Sequence, residues 1–102
     1  MPDKSWKAWE RVVARIFGGI RRGAYTGSGG TGKSDVIVDG WSIECKLLSR
    51  PTYQQMVNAC LQAEANAENP KDIPVAVVKK KYAKTGDALV IMRLEKFKEF
   101  FV

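Results

Sequence analysis

Asp35, Glu44 and Lys46 are the residues whose types and spacing suggest chemistry in this sequence. Between the two acids lies Asp39-Gly40, flanked by alternating apolar residues, which is a strong signal for a two-residue β-hairpin turn. With that turn Val38 pairs with Trp41, Ile37 with Ser42, Val36 with Ile43, and Asp35 with Glu44. One face then collects Val36, Val38, Trp41, Ile43 and Cys45 and must look into a core; the other collects Asp35, Ile37, Ser42, Glu44 and Lys46. Directly opposed side chains have Cβ atoms roughly 4.5–5.5 Å apart, and like charges placed so are destabilising by up to about 1 kcal/mol.

Folding alone has little use for such a pair, whereas a hard divalent cation has. Mg²⁺ takes oxygen ligands and typically uses one or two carboxylates together with substrate phosphate. Lys46 follows Glu44 by two residues and projects from the same face. An amine there can orient or activate a water, or offset charge on a phosphate. The plainer account of the same pattern is a polar outer face in which Lys46 neutralises its neighbours.

The elements that must position these residues can be read from the rest of the chain. Residues 3–18 have the spacing of an amphipathic helix, with Asp3 as a cap and Trp6, Trp9, Val13, Ile16, Phe17 and Ile20 on one side. Glu10 falls at the border of that stripe; it either reaches a site beside the sheet or is an ordinary flank glutamate paired with Lys7. Residues 18–34 form a glycine-rich loop with a short strand expected around Arg22–Thr26. Thr52 and Gln55 make a capping box for a second helix reaching about Glu68 and stopping at Asn69-Pro70. Ile73–Lys79 and Ala88–Arg93 are apolar runs of the kind found in buried strands, and Leu94, Phe97, Phe100 and Phe101 mark a closing helix whose phenylalanines are expected in the core, with a dimer seam as the alternative. The order α-(β)-β-β-α-β-β-α predicts one α/β (α+β) domain over residues 1–102, with a mixed sheet flanked by helices.

The 102 residues hold 17 Lys+Arg, 11 Asp+Glu and no His, for a formal charge of +6. Without histidine there is no His-based triad or His-containing zinc site, and Cys45 and Cys60 are too few for a four-cysteine site. Two cysteines and no apolar leader are expected of a cytoplasmic protein with free thiols, and no stretch approaches the ~20 apolar residues of a membrane span. A small basic domain commonly meets a polyanion, nucleic acid above all.

Gly27–Ser34 matches the phosphate-loop pattern G-x-x-x-x-G-K-[ST], but that motif needs a helix directly after it, and Asp35–Trp41 reads as strand and turn. No nucleotide cofactor is expected. The loop amides, with Arg21, Arg22 and Lys33, are suited to a nucleic-acid backbone; a solvated linker is the equal alternative.

Glu10 in a first helix, Gly27-Ser28-Gly29 in a loop, Asp35 opening a strand and Ile43-Glu44-Cys45-Lys46 on the next resemble the PD-(D/E)xK nucleases. In order and spacing they are most similar to the archaeal-type Holliday junction resolvases and their small phage-encoded relatives, and the similarity runs over nearly the whole chain. Ser34 stands where the family pattern has proline. The resemblance implies a restriction-endonuclease-like fold. It implies Glu10, Asp35 and Glu44 around Mg²⁺ (with Mn²⁺ able to substitute), Lys46 as the catalytic lysine, and Ser28 on a loop near the scissile phosphate. It further implies a two-fold homodimer that nicks two strands of a four-way DNA junction, in the host cytoplasm if phage-encoded. Gln62 answers to a second-helix glutamine of some of these nucleases, but the helical wheel puts it with Gln55 and Asn66, away from Tyr53, Val57 and Cys60. Other nucleases of the superfamily, acting on flaps, ends or repair substrates, and a DNA-binding module without catalysis, are the alternatives.

Overall fold

A computed structural model describes residues 5–22 and 34–102. The order is α1 (Ser5–Phe17), β1 (Ile20–Arg21), β2 (Val36–Ile37), β3 (Trp41–Leu48), α2 (Tyr53–Ala65), β4 (Ile73–Lys80), β5 (Leu89–Ile91) and α3 (Leu94–Phe101). The five strands form one mixed sheet in sequence order. β1, β2 and β3 pair antiparallel, β3 and β4 run parallel through the α2 crossover, and β5 returns antiparallel. This is the mixed α+β architecture expected from the pattern of elements. Among the described residues no helix is long and apolar enough to cross a membrane.

The hairpin has the expected register, with Val36 opposite Ile43. The Trp41 amide donates to the Val38 carbonyl at 3.1 Å, closing the turn. Only Gly40, at φ +85°, is left-handed there. Alternation along β3 and β4 then serves two cores. Val36, Ile43, Cys45, Val75 and Val77 pack against Trp9, Val13 and Ala14 of α1, while Ala76 and Val78 pack against Ala59 of α2. The sheet is therefore covered on both faces, and the face carrying Glu44 lies under α2 and not in open solvent.

Two adjacent glycines let α1 end against β2. Gly18, at φ +75°, donates to Arg15 and Gly19 donates to Ala14, the paired bonds of a Schellman cap. A Cβ on Gly19 would lie 2.2 Å from the Ile37 carbonyl oxygen, so only glycine fits. This cap ends α1 before Ile20, which the helical spacing had assigned to the apolar stripe; Ile20 instead opens β1 and is exposed. The short strand thus lies at Ile20–Arg21, earlier than expected. Asp3, the expected cap, and residues 23–33 lie outside the described residues.

The capping box of Thr52 and Gln55 is formed. α2 ends at Ala65, three residues short of the expected Glu68, with Asn66 as its C-cap and the Asn66 side chain bonded to Glu44 of β3. β4 is the buried strand its composition predicts. β5 is not: it is an edge strand with Leu89 and Val90 more than half exposed. No residue of α3 is buried either, and Phe97 and Phe101 stack on each other at 5.2 Å at the surface. Ala88, Ile91 and Met92 pack on the margins of the two cores, while Leu89, Val90 and the α3 phenylalanines Phe97 and Phe101 stay largely exposed. Arg93 ties this end to α2 by a forked pair of 2.7 Å bonds to Glu64.

Candidate active site

β2 is only two residues long, and the site lies where it stops. The Asp35 amide still donates to the Ile43 carbonyl, but the next partner of β3 is a side chain: Asp35 Oδ2 accepts from the Cys45 amide at 2.9 Å. The carboxylate thereby replaces a missing rung of the ladder and is held beside Glu44, as the hairpin register requires. Glu44 is almost wholly buried, and Asn66 Nδ2 donates to its Oε1 at 3.0 Å. Next to it Ser42 Oγ donates to the Ala63 carbonyl at 2.6 Å, seating α2 on the strand.

Burial pushes the Glu44 carboxyl up from its usual 4.5 to about 7, and the neighbouring Asp35 charge adds to the rise. Hydrogen bonding to Asp35 raises it further, while the Asn66 amide and the Lys46 charge oppose it. A hydrogen bond between two carboxyl groups exists only while one of them holds a proton. The two carboxyl groups therefore lie close enough for each to feel the other's ionisation. Two neighbouring carboxyl groups, each accepting from a neutral N–H donor, are the oxygen ligand type that suits a hard divalent cation.

Glu10 is buried on α1, on the opposite side of the sheet from Glu44. Desolvation raises its pKa, with Asp35 adding to the rise; Arg21, whose Nε donates to Glu10 Oε1 at 2.7 Å, pulls it down. Asp35, at the end of β2, acts on both glutamates. Among the described residues no three Asp, Glu or Cys side chains are grouped closely enough to hold a metal ion. The structure thus assembles the Asp35–Glu44 pair; Glu10 comes from α1 on the other face of the sheet, is engaged by Arg21, and feels the charges of Asp35 and Lys46. The Cys45 thiol between them is pushed far above its ordinary value, chiefly by burial and then by Asp35, Glu10 and Glu44, so it is no nucleophile.

Lys46 is half-buried on the α2 side and lines a cleft of about 180 Å³ with Leu48, Gln55, Asn58, Ala59 and Gln62. This corrects the helical-wheel reading of α2. The wheel weights the large residues Tyr53 and Val57, yet Tyr53 is exposed and the contact face is Ala59, Cys60 and Ala63. Small side chains let the helix sit close, so that Asn66 reaches Glu44, while Gln55 and Gln62 stay exposed at the rim of the Lys46 cleft. Asn66 is the site residue that sequence reasoning missed.

The arginines expected to meet DNA are engaged within the chain. Arg21 pairs with Glu10, and its guanidinium carbon lies 5.8 Å from the Trp6 ring centre. Arg22 pairs with Glu68 and donates to the Ser34 carbonyl, both at 2.7 Å. Ser28 and Lys33 lie outside the described residues. The residues after Ser34 are strand and not helix, so the phosphate-loop pattern lacks its structural context. Trp41 packs edge-on against Phe17 at 5.6 Å, in the packing role expected of it.

Compared with protein-family models, with curated proteins and with solved structures, the chain matches none.

Proposed function

We propose that this chain is a metal-dependent endodeoxyribonuclease that hydrolyses phosphodiester bonds in branched DNA, four-way junctions foremost, acting as a homodimer in the cytoplasm. The observation that carries the reading is the Asp35–Glu44 carboxyl pair on neighbouring β-segments with Lys46 two residues on along the same strand face. The similarity of Asp35 and Ile43-Glu44-Cys45-Lys46 to the PD-(D/E)xK pattern and the +6 charge support it.

Asp35 and Glu44 would hold the cation, Mg²⁺ or Mn²⁺. Bound there, it supplies a Lewis acid for the phosphate and lowers the pKa of water. The chain's own part is positioning. The Cys45 amide and Asn66 fix the two carboxylates, and the Lys46 ammonium offsets negative charge developing on a phosphate in the adjoining cleft. Two equivalent scissile phosphates in a symmetric junction call for two equivalent sites, which a C2 dimer provides.

A second reading, a DNA-binding module without catalysis, is favoured by the deep burial of Glu44 and by the lack of a three-acid group among the described residues. One assay separates them: labelled four-way junction, flap and linear duplex incubated with Mg²⁺ and wild type or Glu44→Ala, with an EDTA control. Paired nicking of the junction that vanishes in Glu44→Ala and in EDTA is the expected result. Faster cutting of flaps means another nuclease of the superfamily. Binding without cutting means the non-catalytic module.

A further inference from the structure

β4 ends in a turn that folding does not explain. Ala83 N donates to the Lys80 carbonyl at 3.0 Å, making Lys80–Ala83 a β-turn. Its third residue, Tyr82, has φ +70°. That is where such turns take glycine or asparagine, since a Cβ is disfavoured there. Tyr82 is the only non-glycine residue with positive φ among the described residues, and its side chain is 100% exposed. The ring thus returns no packing for the strain it imposes.

The turn is also braced. Lys81 N donates to the Leu48 carbonyl at 2.9 Å, and Lys79 Nζ to the Ala83 carbonyl at 2.8 Å. Lys79 is itself seated 5.5 Å from the centre of the Trp9 ring. Around the ring, Lys80, Lys81 and Lys84 are exposed, with Asp87 the acid that follows in the same connection. A cleft of about 340 Å³, lined by Ser5, Trp9, Lys79, Lys81, Tyr82 and Thr85 among others, opens beside it. A rigid, strained mount that holds an aromatic ring in water among cations suits a ligand with a flat apolar face and an anionic backbone. Unpaired nucleotides have both, and strain at an exposed residue is a pointer to function.

We propose that the Lys80–Lys84 turn is a contact for unpaired DNA in which Tyr82 stacks on a base and the lysines meet the flanking phosphates. The site extends the branched-DNA reading, because Lys46 and this turn lie toward the same, carboxyl ends of the parallel pair β3 and β4. It does not depend on catalysis. Uninterrupted duplex offers no open base face, so the turn favours single strands and junction centres.

The test is fluorescence anisotropy of labelled oligo(dT), blunt duplex and four-way junction, all in EDTA. Catalysis plays no part there, so failure of the nuclease reading and failure of this one are distinguishable. Tyr82→Gly removes the ring and relieves the backbone strain, so loss of fold is not expected; its melting temperature is measured alongside. The expected result is binding weakened roughly 5- to 100-fold for oligo(dT) and junction, the worth of one stacked base. Blunt duplex binding changes less than twofold, and Tyr82→Phe retains wild-type affinity. Lys81→Gln and Lys84→Gln each flatten the salt dependence for oligo(dT) by about 0.7 in log–log slope. Equal binding of all three DNAs by Tyr82→Gly and wild type overturns the proposal, as does an equal loss on blunt duplex. Retention on phosphatidylserine vesicles that Tyr82→Gly abolishes, with oligonucleotide binding untouched, overturns it in favour of a lipid surface.

Discussion

Asn66 Nδ2 donates to Glu44 Oε1 at 3.0 Å, tying the end of α2 to the middle of β3 across a span of 22 residues. The bond holds an almost wholly buried carboxyl in place beside a second one. What it cannot do is supply charge, and that shortfall governs how the site responds to pH.

Glu44 titrates near 7 in the folded chain and near 4.5 when unfolded. Below pH 4.5 both states are protonated and the group contributes nothing to the pH dependence. Between 4.5 and 7 the folded state keeps the proton that the unfolded state releases, so stability falls as pH rises through that window. The loss is on the order of 3 kcal/mol, complete above pH 7. Glu44→Gln keeps an oxygen for Asn66 and removes the ionisation. Urea unfolding at pH 5 and pH 8 is expected to show the wild type weakening between the two and the variant unchanged, hence the more stable at pH 8. A variant that is less stable at pH 8 would show that the buried charge is not a burden.

Divalent metal is expected to relieve the same burden. At 10 times its Kd, a cation that binds only the folded chain adds about 1.4 kcal/mol. For a chain of this size that is a rise in Tm of roughly 6–11 °C. Thermal melts at pH 8 with and without Mg²⁺ should show this shift in wild type, and should not show it in Asp35→Asn or Glu44→Gln. An equal shift in all three proteins would place the cation elsewhere.

Lys46 shares its cleft with Gln62 and Gln55 and supports no core contact. Lys46→Ala is therefore expected to leave the melting temperature within a few degrees of wild type and junction binding in EDTA intact. Cleavage should slow by about 100-fold or more, the usual worth of a positioned proton-transfer or charge-offsetting group. A parallel loss of binding would reduce Lys46 to a phosphate contact.

Gly19 faces a packing limit and not a turn requirement. Its Cβ position is 2.2 Å from Ile37 O and 2.4 Å from Val38 Cγ2, so Gly19→Ala must push β1 and β2 apart. The expected cost is about 1–3 kcal/mol, read by urea unfolding. The shift also disturbs Arg21 and Asp35, so junction cleavage should fall further than the stability change alone accounts for.

Much of this arrangement was legible beforehand. The hairpin register followed from Asp39-Gly40 and strict alternation, because a one-residue slip would have turned Ile43 and Cys45 out of the core. The capping box, the buried β4 and the order of elements were equally local signals. Where local signals ended, expectation and structure parted. Phe97 and Phe101 carry core composition but lie outside the two helix-covered layers. The packing face of α2 is written in alanines, which a wheel of large residues overlooks.

Composition and period alone determined that Asp35 and Glu44 would oppose each other, since strand alternation is a property of the backbone. Tertiary structure decided the rest of the site. It put α2 over the glutamate and chose Asn66 as its partner. It set Glu10 on the far side of the sheet with Arg21, and it raised a tyrosine on a lysine turn into water. Each of these depends on how closely helices approach the sheet and where the covered layers stop, which are distances between segments that no local pattern encodes.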